Sequence, residues 1–323
     1  MRSHCRGFFV KHLRQLAWVW ICFFLLAVPM HPQSDSESEL NLNGAFDFHV
    51  HQAPDSIDRA IDADDLARLA KQNGMRGMVM KNHWESTAAL VYMVRKEVPG
   101  IELFGGITQD LAVGGINLEA VKHMVAMKGG WGRIVWLPTF DAENAVKYAK
   151  ETRPFVPVSK DGRLLPNVLE LIDFIAQHRE MVLETGHISA AEGLMVVHEA
   201  HERGVTHLVV THAMAAPVRM TIPQMQAAAR DGAFIEFVYA ATLGTNPVVT
   251  LSDYANAIRA VGPAHCILAT DFGAVQQPPE PQRPLEPQGL LDFMVAMHRQ
   301  GISVADINLM VKTNPALALG LAP

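Results

Sequence analysis

Short apolar runs alternate with stretches of helical apolar spacing along most of this chain, and that alternation constrains the fold more than any other feature. Runs of four to eight apolar residues bounded by turn formers read as strands, and a 3.6-residue apolar repeat reads as a helix. Strands are expected at 45–51, 77–81, 102–107, 133–137, 181–184, 207–211, 233–238 and 266–270. Helices are expected at 64–73, 86–98, 118–127, 142–152, 167–178, 190–203, 223–230 and 248–260, then at 290–300 and 304–312. Leu66, Leu69 and Ala70 share a face of the first helix, and Gly74 stops it. Pro99-Gly100 stops the second. One interruption, at 156–165, carries Lys160-Asp161-Gly162 and reads as a small hairpin. Eight strands alternating with helices predict an α/β fold of the (β/α)8 TIM-barrel type. A doubly wound open sheet is the alternative. As a nucleotide binder it would need a glycine-rich phosphate turn after an early strand, and Gly114-Gly115 and Gly129-Gly130 do not supply one.

The chain has 323 residues, 49% of them hydrophobic, with a net charge of -6, enough for one large core. No basic patch with interleaved aromatics appears, so nucleic acid is not an expected partner; a small-molecule substrate is, and a homo-oligomer stays open. Of Cys5, Cys22 and Cys266, two fall in the N-terminal leader, which leaves no disulfide framework and no cysteine-rich zinc site in the remainder. The leader has a basic start (Arg2, Arg6, Lys11, Arg14) and an apolar run at 16–28, too short for a comfortable membrane span. Residues 1–30 are expected to form a signal peptide or N-terminal anchor, 31–43 a polar linker, and 44–323 the barrel domain. Export to the periplasm or outside follows, or membrane anchoring through this segment alone. A cytoplasmic location would require a mis-assigned start codon.

Polar residues cluster where the strands end. Phe46-Asp47-Phe48-His49-Val50-His51 places two histidines at i and i+2, on one face of a strand, with Phe48 and Val50 on the other. Lys81 ends the second strand, with His83 just beyond. Glu184 ends the fifth, in Glu184-Thr185-Gly186-His187. His212 follows the sixth and Asp271 the eighth. In a (β/α)8 barrel the C-terminal strand ends converge on one mouth, so these side chains would meet there.

Asp47-Phe48-His49-Val50-His51, the single histidines after strands five and six, and Thr270-Asp271 after strand eight together resemble the amidohydrolase superfamily. So does the tail from Gly301-Ile302-Ser303 through Asn314-Pro315-Ala316 to Leu319-Gly320-Leu321. The likeness spans 44–321 and is nearest to a little-characterised group of metal-dependent hydrolases. It implies a divalent metal, zinc with manganese or iron as alternatives, and hydrolysis of an amide, lactone or ester. His49, His51, His187 and His212 match the histidine ligands, and Asp271 the strand-eight carboxylate that would also act as general base. Two-metal members carry a bridging carboxylate after strand four, often on a lysine, whereas strand four here ends Val135-Trp136-Leu137-Pro138-Thr139. One ion on His49, His51, His187 and Asp271 is therefore expected, with His212 polarising substrate or water. With two ions, His187 and His212 would hold the second, and Lys81 or Glu184 the bridge. Lys81 is otherwise a substrate anchor or an ion-pair partner, and His83 a pocket-edge residue. Asp47 is expected to brace a neighbour, while His198, His201 and His207 lie on or beside an outer helix. Arg283, in the proline-rich stretch 278–287, could meet an anionic substrate or belong to a plain linker. Alternatives to hydrolysis are decarboxylation by a related site and a non-catalytic ligand-binding barrel.

Overall fold

The structure is a computed structural model and describes residues 36–323. The leader reading therefore lies outside the described residues. Eight parallel strands form one sheet in chain order: β1 Phe46–His51, β2 Gly77–Lys81, β3 Glu102–Thr108, β4 Gly132–Trp136, β5 Val182–Glu184, β6 Leu208–Val210, β7 Phe234–Val238 and β8 Cys266–Ala269. Closure runs from β8 back to β1: the Asp271 N–H donates to His49 O, and the His51 N–H to Phe272 O, each at 2.9 Å. The result is the nearly closed (β/α)8 barrel that the alternation predicts. No helix among the described residues is long and apolar enough to cross a membrane.

The strands are buried on both faces, which explains why they read as continuous apolar runs. Val79, Phe104, Ile134, Trp136, Val182, Val209 and Ile267 belong to one apolar cluster with Phe46 and Phe48. Their alternating neighbours, among them Met78, Met80, Leu103, Val135 and Leu183, pack with the surrounding helices. Ala316, Ala318 and Leu319, from the end of the chain, join the first cluster.

Three local readings need correction. Phe48 and Val50 do not share a face: Asp47 pairs with Met78 and Val50 with Met80, so β1 holds one extra residue between them. That bulge turns Phe48 to one apolar cluster and Val50 to the other. The linker ends sooner than composition suggests. Leu40 and Leu42 are buried in the core, and Glu37 pairs with Arg299 at 2.9 Å, so residues 36–43 pack on the barrel. The terminal helix also runs on past Lys312. A helix at Val304–Asn308 passes through a π-helical turn at Leu309–Thr313 into a last helix, Asn314–Ala318. Pro315 stands in the first turn of that last helix, where no intrahelical N–H is required. The hairpin forms as read, Ser159–Lys160 against Arg163–Leu164, with Asp161 and Gly162 both at positive φ in the turn.

Candidate metal centre

The His49 and His51 rings converge on a single carboxylate oxygen. Asp271 Oδ1 lies 3.3 Å from His49 Nε2 and 3.1 Å from His51 Nε2. One donor atom from each of the three residues falls within 4.8 Å of the others. The opposite ring nitrogens are anchored: His51 Nδ1 lies 3.2 Å from Lys81 O, and His49 Nδ1 lies 3.1 Å from Glu236 Oε2. A carbonyl oxygen only accepts, so His51 carries its proton on Nδ1 and turns the Nε2 lone pair to the centre. Lys81 Nζ, 3.1 Å from His49 Nε2, donates to that nitrogen and fixes the same tautomer there.

Three acceptors facing one another repel unless a cation lies among them, and imidazole with carboxylate is the donor set of zinc, manganese or iron. The residues therefore fit a divalent ion. An ion on His49 Nε2 would take the lone pair that now accepts from Lys81, so Lys81 would have to give up that hydrogen bond. Burial drives the Lys81 amine below its ordinary range, and that favours the uncharged form beside a metal. Burial likewise takes the His49 imidazole down to about 3 and His51 to about 4, so both are neutral at physiological pH, the form that ligation requires. Burial works to raise the Asp271 carboxyl, yet the group lies well below the usual carboxyl range overall and is an anion at neutral pH.

Strain and bracing set these positions. Asp271 and His212 both sit at positive φ, 53° and 27°, directly after their strands. Such backbone is costly for residues with a Cβ and concentrates at functional sites. Asp47 braces the eighth strand, as its sequence position suggests: its carboxylate accepts from Thr270 N at 3.0 Å and Thr270 Oγ1 at 2.6 Å. In the fifth loop, a Cβ on Gly186 would meet Leu137 O at 2.2 Å, so only glycine lets this turn carry His187 to the mouth.

His187 and His212 stand beside the three-residue cluster rather than in it. Their ring centres are 4.7 Å apart, and His212 is 5.9 Å from His49. Burial holds His212 down at about 3, and its buried Nδ1 has no hydrogen-bond partner. His51, Lys81, His83, His187, His212 and Asp271 line one cavity of 380 Å³, together with Arg59, Phe140 and Arg283. Glu184 does not line it. Its carboxyl accepts from Thr211 Oγ1 at 2.9 Å, and burial with Glu236 nearby raises it well above the ordinary range. His198 is exposed and pairs with Asp231, His201 is exposed, and His207 is half-buried, all outside the cavity.

Sequence reasoning missed two supporting groups. Glu236 accepts from the His212 backbone N–H at 2.8 Å and hydrogen-bonds His49 Nδ1 at 3.1 Å, so one carboxyl, raised to about 8 by burial, fixes two candidate residues. Its signal was a lone acid inside Phe234-Ile235-Glu236-Phe237-Val238, an unfavourable place unless it serves partners. Asp110 and Thr139 are the second: the Thr139 hydroxyl donates to Asp110 Oδ2 at 2.5 Å, and His83 Nδ1 donates to Thr139 Oγ1 at 2.8 Å. His83 thus turns its Nε2 lone pair outward from this chain of hydrogen bonds.

A barrel of this topology with histidines and an aspartate at its mouth has the fold of the amidohydrolase superfamily. An amidohydrolase from Pseudomonas aeruginosa superposes with a TM-score of 0.62 at 13% identity, over 88% of this chain and 98% of that one. An organophosphorus hydrolase from Deinococcus radiodurans gives 0.57 at 14% identity, over 86% and 92%. A weak promiscuous lactonase, used as a template for engineering organophosphate hydrolysis, gives 0.58 at 15%, over 86% and 96%. No curated protein matches significantly in sequence. The chain belongs to DUF6282, described as a family of unknown function, whose profile matches residues 44–236.

Proposed function

We propose that this chain is a metal-dependent hydrolase acting on an amide, lactone or ester bond. One observation carries the reading: two imidazole lone pairs, each fixed from behind at Nδ1, converge on an ionised Asp271. Such pre-orientation from behind is how proteins hold metal-binding histidines. The names of structurally similar proteins, an amidohydrolase, an organophosphorus hydrolase and a lactonase, agree with hydrolysis as the reaction class.

The residues divide the work. His49, His51 and Asp271 would hold the ion, with His187 beside them. A bound divalent ion supplies Lewis acidity at neutral pH. Asp271, part-exposed to the cavity, takes the proton of the attacking water as general base. His212 lines the same cavity beside these residues and would polarise the substrate or the water as charge develops.

The test is metal analysis of the purified chain supplied with zinc or manganese, joined to a screen of amides, lactones and esters. Bound metal with metal-dependent turnover of one class supports the reading. A chain that takes up no metal, or that turns over substrate equally after chelation, contradicts it.

A further inference from the structure

Three basic side chains line the cavity, and they are not equivalent. Arg59 is neutralised: its Nε lies 2.7 Å and its Nη2 2.6 Å from Asp55 Oδ2, and the Asp55 side chain is fully buried. Lys81 is buried and committed to His49. Arg283 is different. Among the described residues its guanidinium has no carboxylate partner; Nη2 makes one long hydrogen bond, 3.3 Å, to Ala240 O, and the group lies over the Phe272 ring at 5.5 Å. Glu280 and Glu286 each stand three residues away in sequence, but neither pairs with it: Glu280 accepts from the Thr245 N–H and hydroxyl at 3.1 and 2.6 Å and reaches Arg283 only as a more distant charge, and Glu286 is buried. A half-buried guanidinium with most of its donors unused is an incomplete anion site.

The same cavity has a flat wall. The Phe140 ring packs on His83 with centres 4.1 Å apart and meets His187 edge-on at 5.7 Å. Phe140 keeps 38% of its surface exposed although it sits among these rings, so apolar area remains for a ligand to cover. The free volume, 380 Å³, suits a molecule of roughly ten to fifteen heavy atoms.

We infer that the cavity takes a small organic acid with a flat unsaturated body, its carboxylate paired with Arg283 and its ring laid against Phe140. This rests on the hydrolase reading in one respect: an ion on His49, His51 and Asp271 offsets the Asp271 charge that otherwise faces Arg283.

Benzoate and benzamide have nearly the same shape and differ in charge, so they separate the two contacts. Their binding to the zinc-supplied full chain is read by ligand-observed NMR. Benzoate should bind about ten-fold or more tightly than benzamide, the usual scale of a charge-assisted hydrogen bond. Arg283→Gln should remove that preference and leave benzamide unchanged, with Arg283→Lys in between. Phe140→Ala should weaken both probes equally. Equal binding of the two probes to the wild type, or a preference that survives in both Arg283 variants, overturns the inference. Zinc content on the same samples reads the hydrolase proposal separately: a chain without zinc that still prefers benzoate through Arg283 counts against that proposal alone.

Discussion

Two sides of the barrel mouth carry histidines, and they are built differently. On the β1–β8 side, His49 and His51 are each pinned at Nδ1, by Glu236 and by Lys81 O, and Asp47 ties the two strands together through Thr270. On the β5–β6 side, His187 and His212 touch ring to ring, and His212 Nδ1 has no partner at all. Both sides are buried and neutral, so burial does not distinguish them. Anchoring does. A pinned imidazole presents one lone pair in a fixed direction, which suits ligation; a ring without such a pin has no direction imposed on its lone pair.

Removing a pinned ligand should have the largest effect. His49→Ala is expected to lose most bound metal and all measurable turnover, checked by elemental analysis beside activity on one preparation. Changing the unpinned side should separate the two quantities. His212→Asn is expected to keep its metal while turnover falls roughly 10²–10⁴-fold, the range for a lost acid–base group. If His212→Asn instead removes metal in proportion to activity, the two sides do not differ as described.

The pins themselves come next. Glu236→Ala frees His49 Nδ1 and should weaken metal binding about 10–100-fold, the usual cost of losing a carboxylate behind a ligand histidine. The measurement is a chelator competition on wild type and variant. An unchanged affinity would mean that Glu236 serves the fold and not the ligand.

The smallest expected effect is a pH slope. The His51 imidazole is lowered from an ordinary 6.5 to about 4, so between those values the unfolded chain binds a proton that the metal-free folded chain does not. Stability contributed by the neutral ring is present above pH 6.5 and is lost as pH falls towards 4. Buried carboxyls such as Asp47, raised from 3.8 to about 7 by burial, act in the opposite sense across this window. The difference between wild type and His51→Asn isolates the ring. Wild-type stability from urea denaturation should fall faster with acid, by up to roughly 1.4 kcal/mol per pH unit. Parallel curves for the two proteins would show that His51 is not held neutral by burial.

The pinned side was also the more legible one. His49, His51 and Asp271 announce themselves because strand ends in this fold share one mouth, and a histidine or aspartate closing an apolar run has few other uses. Lys81 was legible for the same reason, although nothing in a linear sequence indicates that its amine meets His49, 32 residues away. The anchors were not legible. Glu236 acts on residues 187 and 24 positions distant, and local pattern registers it only as an anomalous acid in a strand. The bulge in β1 was hidden because Phe48-His49-Val50-His51 looks like plain alternation, and only the register against β2 exposes the extra residue. His83 appeared as a pocket-edge residue because Asp110 and Thr139, which orient it, come from two other loops. The eight strands and their order followed from periodicity. Leu40 and Leu42 lay in a stretch whose composition is polar, and their burial depends on the partner helices.

The central claim is that His49, His51 and Asp271 form a metal centre. It is tested most directly by metal content per chain, measured by elemental mass spectrometry on residues 36–323 of the wild type and of His51→Ala, both purified with zinc or manganese supplied. The account predicts roughly one tightly held ion per wild-type chain and a small fraction of that in the variant. A wild type that carries no ion, or a variant that carries as much as the wild type, would contradict it.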